Sequence, residues 1–451
     1  MKRYDIVVIG GGPAGMVTAM TAKKLHGDKS VLMIKESAKG VVPCGIPYVF
    51  HELGDVDKNV MGPKGFVDMG GEVLIDRVAS VDVEVKAVKV SSGEQIGYDK
   101  LVFATGSRPM TASFITGHDL VDGVGYVGKS YESIAALKEK TDKVNKIIVL
   151  GSGFTAVELA EQFAKDEGKQ VKLVYRASHC LKRSFSDYIA EKVDKSLSDA
   201  GVVLHSRSQV SEIIDEGGRA CGIKLDDGSV IEGDFVIIGM GYMPNSELAM
   251  EAGIAVNKYG GIVVDNYLRT NMEDVFAVGD CAGTVGFITG QTSQIMLAST
   301  GAAEARILGY NLYSMRIKRN FGGTLSVFST ELNGTSYASA GVTQSQAEAA
   351  GIDYVVGGFE DIDRHPGSLS CVSSIGAKLI VSSGDGQILG GELFGGKSIG
   401  EMVNTLALAI QKNVTVYEMI SFQLGTHPLL TGAPTKPLLV KAAENAIEQI
   451  S

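Results

Sequence analysis

One cysteine and two glycine-rich segments are the residues of this sequence that could carry out chemistry together. Cys44 stands in the segment Val42–Tyr48, after a glycine-rich segment at residues 10–15, and a second glycine-rich segment begins at Gly151. A glycine-rich turn between a strand and a helix binds a dinucleotide, because the pyrophosphate meets backbone N–H groups at the helix N-terminus. Two dinucleotide sites and one thiol together indicate that electrons pass between the bound nucleotides and Cys44.

The elements around the first glycine segment are those that such a turn requires. It follows the apolar run Ile6–Ile9 and precedes a predicted helix over Met16–Leu25. The next predicted strand, Val31–Ile34, leads to Glu36, the expected acceptor for a ribose hydroxyl about twenty residues beyond the glycines. The glycines allow a tight turn, approach of the pyrophosphate and close packing of helix on strand. The other residues predicted to bind this nucleotide are Gly10, Gly12, Pro13, Ala14 and Gly15.

The second glycine segment follows the predicted strand Lys146–Leu150 and has Ala156 at the third glycine position, a tolerated variant. The next predicted strand, Val171–Tyr175, is followed not by an acid but by Arg176, with Arg183 shortly after. Cations at this point favour a 2′-phosphate, so the sequence predicts NADPH over NADH. A solvated basic loop is the alternative interpretation. The residues predicted to bind this nucleotide are Gly151, Gly153, Thr155, Arg176 and Arg183.

The composition limits the remaining function classes. A chain of 451 residues, 45% of them hydrophobic, can bury sizeable cores and predicts two or three domains. The net charge of −10 disfavours nucleic acid and anionic membranes as partners. Because the sequence has no apolar signal region and no apolar stretch long enough to span a bilayer, the expected compartment is the cytosol. The five cysteines form no CxxC pair and lack metal-ligand spacing, so neither a disulfide scaffold nor a metal site is predicted.

Three further segments have the pattern of a buried strand that runs into a turn. They are Tyr98–Pro109, Asp234–Asn245 and Thr270–Cys281. In this order they resemble the flavin and domain-crossing motifs of the FAD-dependent pyridine nucleotide-disulfide oxidoreductases, and the resemblance covers essentially the whole chain. It implies that Asp280 binds the ribityl chain of the flavin. It also places at the cofactor site Ala104, Thr105, Gly106 and Gly241.

The resemblance implies an α/β fold with two Rossmann-like dinucleotide-binding domains and a C-terminal α+β dimerisation domain. Family members return to the flavin domain after the NAD(P) domain, so residues 1–112 and 246–320 are expected to form the FAD-binding domain. Residues 113–245 would form the NAD(P)-binding domain, and residues 321–451 the dimerisation domain of a homodimer. The predicted strands and helices after residue 321 favour an antiparallel sheet with helices. A third domain without an interface role is the alternative.

Cys44 decides which branch of the family the chain resembles. Two-cysteine members carry a CxxxxC pair here, whereas Pro43–Tyr48 resembles the single-cysteine branch of coenzyme A disulfide reductases, NAD(P)H oxidases and peroxidases, and sulfur or persulfide reductases. One thiol suffices if Cys44 alternates between thiolate and mixed disulfide, persulfide or sulfenate. The site is then expected to stabilise the thiolate, for instance at a helix N-terminus beginning around Gly45. A buried structural cysteine is the alternative.

Other residues receive roles from the resemblance. Phe154 matches an aromatic lid over the nicotinamide pocket, and Glu158 matches a carboxylate near the flavin. His427 resembles the histidine that a partner subunit contributes to handle the proton of the thiol, although the glutamate that normally follows is missing. Lys23 and Lys24 resemble a basic helix end that binds the phosphates of coenzyme A. Each of these residues could instead have a purely structural role. For the two lysines that role would be a favourable interaction with the dipole at the C-terminal end of the helix.

The sequence thus predicts a homodimeric FAD enzyme that passes hydride from NADPH, or NADH, to the flavin and onward to Cys44. Cys44 would reduce a small disulfide, persulfide or polysulfide, coenzyme A derivatives included. One alternative is an NAD(P)H oxidase or peroxidase in which Cys44 becomes a sulfenic acid. Another is a flavoprotein that reduces a protein electron carrier, with Cys44 as a bystander.

Overall fold

The first nucleotide-binding region is built on a mixed sheet at the N-terminus. The computed structural model describes residues 1–120, 122–318 and 321–450. The elements of this region are β1 (Lys2–Ile9), α1 (Pro13–Leu25), β2 (Val31–Lys35), β3 (Gly40–Val41), β4 (Val60–Met61), α2 (Lys64–Asp68), β5 (Glu72–Ile75), β6 (Val78–Asp82), β7 (Ala87–Val90), β8 (Gln95–Phe103) and β9 (Ser107–Pro109). Strands β5, β2, β1 and β8 are parallel, and β7 and β6 continue the sheet antiparallel. The run Ile6–Val8 is fully buried, as expected for a parallel strand covered on both faces.

The second region repeats the strand, glycine turn and helix. Its elements are β10 (Val124–Tyr126), α3 (Tyr131–Thr141), β11 (Lys146–Leu150), α4 (Phe154–Ala164), β12 (Gln170–Val174), α5 (Asp187–Asp199), β13 (Val203–His205), β14 (Val210–Glu216), β15 (Arg219–Leu225), β16 (Val230–Glu232), β17 (Phe235–Ile238) and β18 (Tyr242–Pro244). A parallel sheet has the order β10-β17-β11-β12-β13, and β14 to β16 form an antiparallel sheet beside it.

The chain then returns to the first sheet. This part contains α6 (Glu247–Glu251), β19 (Ile262–Val263), β20 (Val275–Ala277), β21 (Ala282–Gly283) and α7 (Ala298–Asn311). Strand β20 pairs in parallel with β8, and α7 packs against α1. Two separate stretches of chain therefore build one sheet, as the two-piece FAD-binding domain requires. The predicted boundary at residue 320 lies outside the described residues, so the domain limits stay predictions.

The C-terminal region is an antiparallel sheet with helices. Its elements are β22 (Phe328–Leu332), β23 (Thr335–Gly341), α8 (Gln344–Ala349), β24 (Tyr354–Ile362), β25 (Ser374–Ser382), β26 (Ile388–Gly395), α9 (Ile399–Gln411), α10 (Val416–Met419) and α11 (Leu438–Ile447). The strand order is β22-β23-β26-β25-β24. The predicted fold class, two Rossmann-like units followed by an α+β domain, is confirmed. Within the described ranges, no helix combines the length and the apolar character that crossing a membrane demands.

Candidate active site

A single cavity of about 1950 Å³ is lined by residues of both nucleotide-binding regions. Its volume exceeds the roughly 300–1,000 Å³ of an ordinary small-molecule pocket, so it has room for more than one ligand. The predicted site residues that line it are Gly10, Gly12, Pro13, Ala14, Glu36, Cys44, Ala104, Thr105, Gly106, Gly151, Gly153, Phe154, Thr155, Glu158, Arg176, Arg183, Gly241 and Asp280. Tertiary structure thus brings both glycine turns and Cys44 to one space.

The first glycine turn fits a dinucleotide. Gly10 has φ +116°, and a Cβ there would lie 2.0 Å from the carbonyl oxygen of Ala104. A Cβ on Gly15 would lie 2.1 Å from the carbonyl oxygen of Gly10. At Gly12, by contrast, a Cβ would have nothing within 4 Å. Two glycines are therefore required for packing, while the third leaves backbone open for a pyrophosphate at the start of α1.

The second turn has the same construction. Gly151 has φ +128°, and a Cβ there would lie 2.3 Å from the carbonyl oxygen of Gly239, whereas a Cβ on Gly153 would have nothing within 4 Å. Arg176 and Arg183 are exposed and line the cavity beyond this turn. Lys182 lies between them in sequence and is paired with Asp187, since its Nζ is 2.5 Å from Oδ1.

Asp280 is held by a lysine that sequence reasoning missed. Lys129 Nζ donates to Asp280 Oδ2 at 2.8 Å and to Ser107 Oγ at 2.6 Å, and Ser107 Oγ donates to the same carboxylate at 2.7 Å. The lysine also lies 4.1 Å from the centroid of the Tyr242 ring. These residues come from the segments that cross between the two regions and from the turn after β20. An isolated lysine in a crossing segment has no pattern that could have identified it.

Cys44 is exposed to the cavity and lies in a short 3₁₀ turn. The predicted α-helix N-terminus at Gly45 is wrong: the chain forms two 3₁₀ turns, Pro43–Gly45 and Pro47–Phe50. The backbone N–H groups of Gly45, Ile46 and Val49 each donate to the carbonyl three residues earlier, which is the hydrogen-bond pattern of a 3₁₀ turn and not of an α-helix. Gly45 is required here, because a Cβ would lie 2.1 Å from Oδ1 of Asn59.

The ionisation of Cys44 also differs from the expectation. Although the thiol opens onto the cavity, burial by the surrounding protein raises its pKa, and the negative charges of Glu158 and Asp280 raise it further. The positive charge of Lys129 opposes them. The chain's own residues therefore favour the thiol over the thiolate, and the expected stabilisation of the thiolate is not found.

Glu158 is a carboxyl group suited to proton transfer. It lies in the first turns of α4 and accepts a hydrogen bond from Thr330 Oγ1 at 2.8 Å. Burial raises its pKa to about 7; the Thr330 hydrogen bond opposes the shift and the charge of Glu161 adds to it. A group that titrates near neutral pH can hold and release a proton in the same reaction cycle.

Phe154 is covered by the C-terminal region. Its ring stacks on Phe328 with centroids 4.9 Å apart and an angle of 14° between planes, and it meets Phe185 edge-on at 6.4 Å. Strand β22 thus contributes both Phe328 and Thr330 to this wall. Sequence reasoning missed these two residues, because their partners on α4 are more than 170 positions away.

The remaining predicted residues lie outside the cavity lining. Lys23 Nζ donates to the carbonyls of Gly27 and Lys29 at 3.1 and 2.9 Å, so it completes the end of α1, while Lys24 is exposed beside it. His427 lies in the exposed segment 421–430, where its Nδ1 accepts from the backbone N–H of Leu429 at 3.2 Å. Within the part of the chain that is described, no cluster of three His, Cys, Asp or Glu side chains could hold a metal.

The cysteines other than Cys44 lie elsewhere. Cys180 and Cys281 are buried, Cys221 and Cys371 are exposed, and all five cysteines are free thiols. Cys281 Sγ is 3.4 Å from the carbonyl oxygen of Val278, which is consistent with a packing role.

Comparison with known proteins identifies a family whose models match most of the chain. The family model "Pyridine nucleotide-disulphide oxidoreductase" matches residues 4–305, and that of its dimerisation domain matches residues 330–437. An NADH oxidase of Methanocaldococcus jannaschii is 29% identical and covers 99% of both chains. A CoA-dependent NAD(P)H sulfur oxidoreductase of Pyrococcus furiosus is 30% identical over 84% of this chain and 90% of its own.

Among solved structures, an NAD-dependent persulfide reductase from A. fulgidus superimposes with a TM-score of 0.90. It is 27% identical, and the match covers 99% of this chain and 83% of that one. The sequence resemblance is therefore confirmed. This chain belongs to the pyridine nucleotide-disulphide oxidoreductase family and is an FAD-dependent oxidoreductase that uses NAD(P)H.

Proposed function

We propose that the protein reduces a small disulfide, persulfide or polysulfide through Cys44, with electrons from NADPH or NADH, and that coenzyme A derivatives are among its substrates. The observation that carries the proposal is that Cys44, Glu158 and both glycine turns line one cavity. The similarity to a CoA-dependent NAD(P)H sulfur oxidoreductase of P. furiosus and to a persulfide reductase of A. fulgidus supports the substrate class.

The chain's residues would divide the work between binding and chemistry. The turn at Gly10–Gly15 would hold FAD, with Glu36 on a ribose and Asp280 on the ribityl chain, and the turn that begins at Gly151 would hold the nicotinamide nucleotide. FAD supplies the two-electron chemistry between nicotinamide and sulfur. Phe154 would have to leave its stack on Phe328 to admit the nicotinamide ring beside the flavin.

Cys44 would perform the exchange at sulfur. Its thiolate attacks one sulfur of R–S–S–R′, the S–S bond breaks, and R′–S⁻ leaves while a mixed disulfide with Cys44 forms. An electron pair then breaks that bond and restores the Cys44 thiolate and R–S⁻. The net reaction is R–S–S–R′ + NADPH + H⁺ → R–SH + R′–SH + NADP⁺, and a persulfide likewise yields R–SH and H₂S.

Glu158 and His427 are the proposed carriers of the protons. Glu158, with its pKa of about 7, can take the proton of Cys44 before attack and return one to a departing thiolate. His427 would act on the Cys44 of the other subunit in a homodimer. Because Nδ1 accepts a hydrogen bond, the neutral ring carries its proton on Nε2. Of the two lysines expected to bind coenzyme A phosphates, Lys24 is the better candidate, since Lys23 is engaged at the helix end.

An oxidase or peroxidase reaction is the second candidate. The M. jannaschii relative named NADH oxidase favours it. In that case the Cys44 thiolate would attack peroxide, the O–O bond would break, and a sulfenic acid would form with loss of hydroxide; hydride from NADPH would then reduce the sulfenic acid to thiolate and water.

Cys44→Ser tests the proposal, with the exposed Cys221→Ser as matched control. We expect the Cys44 variant to keep FAD and to be reduced by NADPH, but to lose about a thousandfold or more of its turnover with coenzyme A disulfide, persulfide or polysulfide. Cys221→Ser should resemble the parent protein. Mixing the reduced enzyme with each sulfur substrate, peroxide or oxygen in stopped flow would identify the acceptor.

Three outcomes would contradict the proposal. Undiminished sulfur turnover by Cys44→Ser would remove the thiol from the mechanism. Faster reaction with peroxide or oxygen than with every sulfur compound would favour the oxidase. Reduction of a protein carrier that survives in the variant would favour the carrier reductase.

A further inference from the structure

A buried glutamate of the C-terminal sheet holds the start of a helix in the NAD(P)-binding region. Glu392, in β26, is 2% exposed. It accepts hydrogen bonds from the backbone N–H of Ser186 and from its hydroxyl, both at 2.6 Å. Ser186 is the N-cap residue of α5, and its own side chain makes no cap within the helix. A carboxylate from another part of the chain therefore occupies the position where negative charge stabilises a helix.

Ser186 ends the segment that carries the cations of the cofactor cleft. We call residues 176–186 the phosphate loop, because Arg176 and Arg183 of this loop line the cavity. In the middle of the loop, the N–H of Leu181 donates to the carbonyl of Ser152 in the second glycine turn at 2.8 Å. The loop is thus tied to the glycine turn in its middle and to the C-terminal sheet at its end.

These ties matter because the loop lacks regular structure of its own. No helix or strand is assigned to the described residues 176–186, and Leu181 adopts φ +54°. Phe185 is 1% exposed and packs edge-on against Phe154. The loop also contacts Asp194 of α5, which accepts from the N–H of Cys180 at 2.9 Å and lies 2.8 Å from His179 Nδ1. Ser186 is the tie nearest to Arg183, so the position of Arg183 depends in part on where Ser186 is held.

We propose that Glu392 is a positioning residue for the phosphate loop, and that the C-terminal region thereby takes part in the choice of NADPH over NADH. The inference rests on the proposed binding of the 2′-phosphate by Arg176 and Arg183. Arginine reads a phosphate by paired, directional hydrogen bonds, so a displaced loop weakens that contact. NADH has no 2′-phosphate, and its binding depends much less on the loop.

The same helix offers a matched control further along its length. Tyr337, in β23, donates to the carbonyl of Lys192 at 2.9 Å and shares a hydrogen bond of 2.7 Å with Ser196 Oγ. This contact also joins α5 to the C-terminal sheet, and the Tyr337 side chain is buried, but the residues that it contacts on α5 lie beyond the phosphate loop. Tyr337→Phe should cost stability without moving the loop.

The experiment compares Glu392→Gln, Ser186→Ala and Tyr337→Phe in the FAD-loaded enzyme. Glutamine keeps the size of Glu392 but carries no charge, and its single oxygen can accept from the Ser186 N–H while the Ser186 hydroxyl has to turn and accept from the amide NH₂, so both contacts weaken. We expect Glu392→Gln to raise the KM for NADPH about tenfold, with kcat within about twofold and the KM for NADH nearly unchanged. Ser186→Ala should shift the same ratio in the same direction, and the double variant should add little.

Tyr337→Phe should lower the melting temperature and leave the NADPH to NADH ratio as it is. Equal losses for both cofactors in Glu392→Gln, or a ratio that moves as far in Tyr337→Phe, would overturn the proposal. If Glu392→Gln does not fold, the NADPH to NADH ratio of Ser186→Ala tests the proposal instead, because this variant removes the hydroxyl that donates to Glu392. Arg176→Ala tests the 2′-phosphate assignment separately. If this variant binds NADPH as tightly as the parent enzyme does, the assignment itself is overturned, and not only the role of Glu392.

Discussion

At the scale of single residues, the site is governed by the charge around one thiol. Cys44 has a raised pKa because it is partly desolvated and lies near Glu158, whose own pKa is about 7. Above that pH Glu158 is ionised and disfavours the thiolate, and below it the carboxyl is neutral. Each proton that Glu158 releases therefore makes the proton of Cys44 harder to remove, which couples the two groups.

Glu158→Gln should lower the pKa of Cys44 and speed its alkylation. Removal of the negative charge removes a cause of the upward shift, so at pH 8 the thiolate fraction rises. We expect iodoacetamide to modify Cys44 about three to ten times faster than in the parent holoenzyme. Below pH 6 the parent's Glu158 is already neutral and the two rates should converge. A slower or unchanged rate at pH 8 would show that Glu158 does not act on the thiol.

At the scale of elements, the turn after β20 depends on a second buried acid. Glu304, in α7, is 2% exposed, and its Oε2 accepts from the N–H of Gly279 at 2.7 Å. Burial raises its pKa from 4.5 to about 8; the hydrogen bond from Gly279 opposes this and the charge of Asp280 adds to it. Helix α7 thus holds Gly279, the residue before Asp280. The free-energy cost of burying Glu304 grows as its carboxyl group ionises.

Glu304→Gln should stabilise the holoenzyme at alkaline pH. Between pH 4.5 and about 8 the folded chain binds more protons at this group than the unfolded chain, so the free energy of unfolding falls as the pH rises. Glutamine retains the acceptor for Gly279 and does not ionise. We expect a gain of about 1–3 kcal/mol at pH 8 and little change at pH 4.5, measured by thermal unfolding at both values. A variant that is less stable at pH 8 would mean that the ionised carboxylate is stabilised.

At the scale of the whole molecule, the C-terminal region presents an apolar surface. The apolar residues of its exposed segment 421–430 are Phe422, Leu424, Leu429 and Leu430, and Leu430 is 65% exposed. His427 lies in the same segment and away from the cavity of its own chain. A patch of this kind marks an interaction site, and the family's dimerisation domain matches this part of the chain. We infer that a second copy of the chain covers it and receives His427.

Leu430→Asp should convert the proposed homodimer to a monomer. Burying an unpaired carboxylate in an interface costs several kcal/mol, so the variant should sediment as a single chain, keep its FAD and lose most of its disulfide turnover. Val85→Asp is the matched control, because Val85 is 62% exposed and lies between β6 and β7. A parent enzyme that is active as a monomer in sedimentation experiments would refute the homodimer.

The sequence by itself determined the local features of this protein. These features are the glycine turns, the strands that precede them and the absence of a second cysteine close to Cys44. They could be recognised from the sequence because they depend on residue type and on short spacings along the chain. The family resemblance then supplied the order of the regions. The resemblance also pointed to Phe154, Glu158 and Asp280, because each stands at a fixed distance from a motif.

Only the tertiary structure decided how these features act on one another. Lys129 meets Asp280, Thr330 meets Glu158 and Glu392 meets Ser186 across 151, 172 and 206 positions of sequence. No periodicity records such pairs. The residues around Cys44 do not supply the stabilisation of the thiolate that was expected, because the pKa of a thiol depends on desolvation and on charges through space rather than on its neighbours along the chain.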